Sequence, residues 1–187
     1  ETVGGDQLDI ADHLFRTLRG TDNLVFANAR RDVEVYADLL ARRCEAERLP
    51  NEFWPHHGSL AKEVREIVEA QLKDRSRPVT AVCTSTLEMG IDIGTVSSVA
   101  QVGPPPSVAS LRQRLGRSGR RGGAPVVRIY ITEDDLDGQT TAIDQLRPHV
   151  VQTVAMVRLL LDRWVEPPVD PGLNLSTLIQ QILSVIA

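Results

Sequence analysis

Lysine is nearly absent: of 21 cationic residues in 187, only Lys62 and Lys73 are lysine and the rest are arginine. The formal net charge is −4, so there is no global basic field of the kind that coats nucleic acid by bulk electrostatics. Any recognition of anions has to be local. Cysteine is equally scarce. Cys44 and Cys83 cannot build a disulfide framework or a metal cluster between them. Their places in a helical and a buried-strand segment predict reduced core thiols, which fits a cytoplasmic location. Aromatic residues make up only 4%. No uninterrupted apolar run approaches the roughly 20 residues that cross a bilayer. No charged-then-apolar leader opens the chain, so neither a membrane partner nor export is expected. A phosphate-binding loop of the form Gly-x-x-x-x-Gly-Lys-Ser/Thr is missing, because Lys62 follows Ala61 and Lys73 follows Leu72. No Asp-Glu pair follows a strand where it would hold magnesium, since Glu133, Asp134 and Asp135 fall in a polar stretch past the last predicted strand. These absences exclude an ATPase complete within this chain.

What is present has the ordinary globular balance of 42% hydrophobic and 25% charged residues. Helical period runs through Leu8, Ala11, Leu14, Phe15 and Leu18 (residues 6–19, closed by Gly20). It resumes through Val33, Tyr36, Leu39 and Leu40 (31–47) and again over 60–73. Short apolar runs at 24–27, 53–57, 79–83, 96–102 and 126–131 predict strands. A further helix is expected from Ser107, after three prolines, to Gly122 and Gly123. Nearly all-apolar strands alternating with helices imply an α/β fold with a parallel sheet covered on both faces. Such sheets carry their ligand loops at the carboxyl ends of the strands, here 28–31, 58–59, 84–94 and 103–107. After Ile131 come an acidic stretch, a helical pattern over 141–164, and a Pro-rich joint at 166–171. Residues 174–187 form one more apolar-sided helical pattern, expected to lead into a following domain.

Three segments carry chemistry. Five arginines (Arg112, Arg114, Arg117, Arg120 and Arg121) fall within ten residues that contain no acid. On a continuous helix Arg114, Arg117 and Arg120 would share one surface, with Gly116 and Gly119 allowing close approach. A solvated charged face would interleave acids. Uncompensated guanidinium groups instead suit phosphate oxygens and the charge that develops in phosphoryl transfer. The second segment, Thr84 to Gly94, offers hydroxyls and amides for phosphate and Asp92 for ribose hydroxyls, although alone it would be an ordinary turn. The third is His56-His57-Gly58-Ser59-Leu60. Neighbouring strand residues face opposite ways and no third ligand is spaced to join the histidines, so a metal site is not expected. Ser59 is expected to cap the following helix, whose open N-terminus could receive a phosphate.

In this order, residues 23–31 (NLVFANARR), 56–60, 84–94 and 113–121 resemble motifs IV, IVa, V and VI of superfamily 2 DNA and RNA helicases. They are most similar to the large helicase-related (Lhr) group of DEAD/DEAH-box ATPases. The resemblance covers about residues 6–132. It implies a RecA-like helicase C-terminal domain over 1–138, with 139–187 a helical linker and the start of a winged-helix-like domain. ATP with Mg2+ would lie in the cleft against the N-terminal RecA-like domain of the same polypeptide, expected before Glu1. That partner would hold most of the metal coordination, and this part alone would be inactive. By the same resemblance Arg117 and Arg120 would reach the γ-phosphate as arginine fingers. Gln113 and Arg114 would couple that site to the partner domain, with Arg114, Gly90 and Asp92 at the nucleotide. Asn28, Arg30, Gly58, Ser59, Thr84 and Ser85 would contact the backbone of single-stranded DNA or RNA. One departure is Ala29, where relatives carry Ser or Thr, so a hydroxyl contact to phosphate is lost there. Two other readings are a nucleoprotein-remodelling motor without strand separation and a binding module without catalysis. The intact arginine constellation argues against the second.

Overall fold

The computed structural model describes residues 7–88, 92–119, 123–133, 136, 140–141 and 143–167. Its central strand, Asn23–Ala27 (β1), is buried at every position. That is what a strand with neighbours on both edges and cover on both faces requires. β1 pairs in parallel with Thr80–Cys83 (β3) on one side and Ser98–Val102 (β4) on the other, placing Val25 beside Val82 and Ala100. Phe53–His56 (β2) and Val127–Tyr130 (β5) form the edges of an all-parallel sheet of order β2-β3-β1-β4-β5. The one polar residue of β1 is satisfied: Asn23 donates from Nδ2 to Leu18 O at 2.7 Å and accepts from Ser98 Oγ at 2.8 Å.

Alternate side chains of β1 enter two cores. Val25 and Ala27 meet Leu14, Phe15 and Leu18 of Gln7–Leu18 (α1) and Tyr36 and Leu40 of Arg30–Ala46 (α2). Leu24 and Phe26 meet Val68 and Leu72 of Lys62–Asp74 (α3) on the other face. Each fully buried Leu or Phe contributes roughly 1.5–3 kcal/mol, so strand and helix pattern are held by the same residues. Burial pushes the thiols of Cys44 and Cys83 above their ordinary values; for Cys83 the neighbouring Arg114 charge offsets part of the rise.

Three boundaries differ from expectation. α3 begins at Lys62 with Ala61 at its cap position, so Ser59 does not cap it. The Ser59 hydroxyl is engaged elsewhere, by Arg30. The helix of the arginine segment, Val108–Leu115 (α4), is capped at its start by Ser107 Oγ, which accepts from Ser110 N at 3.0 Å, and it ends before Gly116. Gly119 then takes φ +99, a conformation closed to most side chains. Arg117 therefore lies beyond the helix. The pattern over 141–164 is broken by Arg147 in the left-handed region and Pro148 behind it, leaving a 3-10 turn at Asp144–Leu146 and the helix Pro148–Leu161 (α5). α5 packs against α4, and the Glu166 carboxylate accepts from Val108 N and Ala109 N at 3.0 and 3.1 Å. Glu166, expected in a linker, thus serves the open amides and positive end of α4. The pattern at 174–187 lies outside the described residues.

Candidate functional site

Because every strand is parallel, every strand exit lies on one rim. Across it, in spatial order, come the exits of β2 (His57 to Ser59), β3 (Thr84, Ser85), β1 (Asn28 to Arg30) and β4 (Gly103 to Ser107). The crevice between β1 and β4 is the point where successive connections leave in opposite directions, the usual ligand position in open α/β sheets. The six residues expected at a nucleic-acid strand lie along the rim at three adjacent exits, Gly58 and Ser59 after β2, Thr84 and Ser85 after β3, and Asn28 and Arg30 after β1, of which only the last borders that crevice. Arg30 Nη1 donates to Ser59 Oγ at 2.6 Å, joining two exits. Ser59 N donates to His57 Nδ1 at 3.3 Å, so the neutral imidazole carries its proton on Nε2 and donates it to Glu34 Oε1 at 2.7 Å. Arg30 and Glu34 stand one helical turn apart on α2 and together hold this turn.

Gly58 is exposed, and a Cβ built on it would meet nothing within 4 Å. Its backbone is open to a ligand, not shaped by neighbours. Thr84 is half-buried, its N–H donating to His56 O at 3.3 Å, and Ser85 is exposed. His56 lies in a separate network with Thr86 Oγ1 and Glu69 Oε1, both at 2.9 Å. Among the described residues no group of three or more His, Cys, Asp or Glu could hold a metal ion.

The arginine segment corrects the expectation of uncompensated cations on one surface. Arg114 is buried at 2% exposure, with its guanidinium 4.6 Å from the Phe26 ring centroid. Its Nε donates to Glu88 Oε1 at 2.8 Å, Nη2 donates to the same oxygen, and Nη1 donates to Gln101 Oε1. Arg114 is thus built into the interior and is not an open phosphate ligand. Arg112 Nη2 donates to Trp164 O at 2.6 Å. α4 joins two parallel strands and so runs back against their direction, carrying Arg117 away from the rim. There Arg117 O accepts from Val96 N at 2.8 Å and its Nε donates to Glu88 O at 3.0 Å. Gln113 is half-buried on α4, and Asp92 is exposed. Gly90 and Arg120 lie outside the described residues.

Sequence reasoning missed Glu34, Glu88 and Gln101. Gln101 carried a usable signal, an amide set within the apolar run Val99, Ala100 and Val102.

Residues 6–122 match the family model described as the helicase conserved C-terminal domain. The chain is 39% identical over 109 residues to the Lhr helicase/probable uracil glycosylase of Mycolicibacterium smegmatis, covering 57% of this chain and 7% of that protein. It is 31% identical over 163 residues to the ATP-dependent helicase Lhr-Core of Sulfolobus acidocaldarius, covering 86% of this chain and 17% of that protein. It therefore spans only a small part of the length of these curated relatives. Among solved structures, the helicase Lhr of Mycobacterium smegmatis bound to single-stranded DNA and AMP-PNP superposes with a TM-score of 0.71 at 30% identity, over 87% of this chain and 20% of that one. The C-terminal domain of a DEAD-box protein shares the fold at TM-score 0.62 and 20% identity, over 87% of this chain and 82% of that one.

Proposed function

The chain belongs to the helicase conserved C-terminal domain family, in its Lhr-like branch, and from that premise we propose that it is the second motor domain of an ATP-driven helicase acting on single-stranded DNA. The carrying observation is the rim. Three adjacent strand exits, those of β2, β3 and β1, lie on one edge and present an open backbone at Gly58, hydroxyls at Ser59, Thr84 and Ser85, and the side chains of Asn28 and Arg30. These groups contact a sugar-phosphate backbone and read no bases, so binding is independent of sequence. A solved Lhr structure with similar fold holds single-stranded DNA, which favours DNA over RNA.

ATP would lie against the loops that carry Arg117 and Asp92 and against Gln113 near the end of α4, in the cleft to an N-terminal RecA-like domain of the same polypeptide. The donor set fits it: a guanidinium for phosphate charge, an amide beside it, and an exposed carboxylate that accepts from ribose hydroxyls. Bound ATP supplies the phosphoryl group whose transfer to water drives the motor. Arg117, with Arg120, stabilises the charge that develops on the phosphates. Mg2+ is assigned to the partner domain, and none of this chain's residues is given a step through it. Residues 1–138 form the motor domain, and 139–187 are a helical linker and the start of a following, winged-helix-like domain. Alone, this part does not hydrolyse ATP.

The test is ATP hydrolysis by the parent polypeptide with and without poly(dT) or poly(U), beside Arg117→Ala. Stimulation by the strand, lost in the variant, supports the reading, and the better activator names the substrate. Absence of strand stimulation in the parent overturns it.

A further inference from the structure

A chain of hydrogen bonds, passing through the main chain of Glu88 and then through side chains, crosses the interior between the arginine loop and the rim. It begins where Arg117 Nε donates to Glu88 O, and the Glu88 carboxylate holds Arg114 and accepts from Ser110 Oγ at 3.2 Å. Arg114 reaches Gln101 on β4, Gln101 Nε2 donates to Asn28 Oδ1 at 3.3 Å, and Asn28 Nδ2 donates to Pro104 O at 2.8 Å. Gln101 is fully buried and Arg114 nearly so, while Asn28 is exposed on the rim.

The direction of this chain is set chemically. A guanidinium has donors only, so Gln101 has to present its oxygen to Arg114. Its amide nitrogen then has to face outward, where its two hydrogens are shared among Asn28 Oδ1 at 3.3 Å and the carbonyls of Val102 and Gly103 at 2.8 and 3.1 Å. Asn28 receives a donor on its oxygen, so its own amide has to donate, and Pro104 O is the acceptor. The exit of β4 is shaped around this contact. Gly103 takes φ +79, and a Cβ there would lie 3.0 Å from Asn28 Nδ2. Among the described residues, the polar path from Arg114 to Asn28 runs through Gln101, while a second path leads from Glu88 through Ser110 to Ser107.

We propose that Gln101 is a positioning residue that couples the arginine loop to the nucleic-acid rim, so that nucleotide state sets the orientation of Asn28. Gln101 contacts neither ligand. This rests on the motor reading above. Coupling appears as a change in strand affinity when nucleotide binds, and it is a property distinct from either affinity alone.

The experiment uses the parent polypeptide and measures poly(dT) affinity with and without AMP-PNP, AMP-PNP affinity without the strand, and strand-stimulated hydrolysis. Two variants are compared. Gln101→Met keeps length and removes both polar ends. Gln101→Glu keeps an acceptor for Arg114 and turns its second oxygen on Asn28 Oδ1 and the Val102 and Gly103 carbonyls, so as a carboxylate it replaces the donor to Asn28 by repulsion while keeping the contact to Arg114. The expectation is that each single-ligand affinity stays within about twofold, while the AMP-PNP-dependent change in strand affinity and the strand stimulation fall by about tenfold or more. Retention of both coupling readouts within about twofold in either folded variant overturns the proposal. Equal loss of the two separate affinities, with coupling preserved, overturns it in favour of a structural role. A wild-type parent without any coupling removes the motor reading itself, before any variant is needed.

Discussion

Arg30 Nη1 lies 2.6 Å from Ser59 Oγ, so the first residue of α2 holds the exit of β2 across 29 positions of sequence. With Glu34 holding His57, and His57 holding the Ser59 amide, one helical turn of α2 fixes a loop that α3 was expected to own. The consequence is functional: two separate elements of the rim present their groups as one surface.

His57→Phe removes both ring bonds while filling the volume. Strand affinity of the parent polypeptide is expected to fall by about five- to thirtyfold, the worth of a hydrogen bond or two at about 1 kcal/mol each. AMP-PNP affinity stays unchanged. Titration of a labelled strand against a nucleotide titration separates the two, and equal losses in both would sink the idea.

Gly58→Ala adds a methyl group to open space. The melting temperature should hold or rise slightly, because alanine restricts the unfolded chain. Strand affinity should drop, because only a bound backbone occupies that space. Unchanged affinity would place the strand elsewhere.

Glu88→Ala leaves the Arg114 guanidinium buried and short of its carboxylate partner. Loss of one member of a buried pair costs about 3–5 kcal/mol. Joint replacement by Glu88→Leu and Arg114→Met should recover most of the stability, with strand-stimulated hydrolysis still lost. Thermal melting and hydrolysis, read side by side, check this.

Arg117→Ala should leave melting and AMP-PNP binding nearly intact and reduce strand-stimulated kcat by about 10³-fold, the scale of an arginine finger. A loss of kcat under tenfold would assign Arg117 to architecture.

Stability should also respond to alkali. Burial holds the Cys83 thiol above its ordinary value of 9.0 in the folded chain, and Cys44 is raised in the same sense. The folded state then keeps protons that the unfolded state releases, so stability is complete below about pH 8.5 and declines as pH rises beyond it. Melting temperature against pH should show this decline, and Cys83→Ala should reduce its slope. Neither thiol should react with maleimide until the chain is unfolded.

Local pattern accounted for much of the fold. Leu24 to Ala27 is apolar throughout because it is sandwiched, and the period through Leu14, Phe15 and Leu18 marks the face that α1 buries on it. The rim was legible too, since parallel strands force their exits to one edge whatever the order. What sequence could not supply was the partner of each polar group. Arg114 and Arg117, three residues apart in a stretch without acids, looked equivalent. The helix ends between them at Gly116, which turns one guanidinium inward to Glu88 and Gln101 and leaves the other in the loop beyond. Likewise Glu166 looked like part of a joint until α5 brought it to the amide end of α4. Periodicity and strand composition are short-range properties, set by which faces must leave water, and the sequence by itself determined those. The pairing of charges and amides across 26, 29 or 58 positions depends on where packed elements finally stop, and only the tertiary structure decided it.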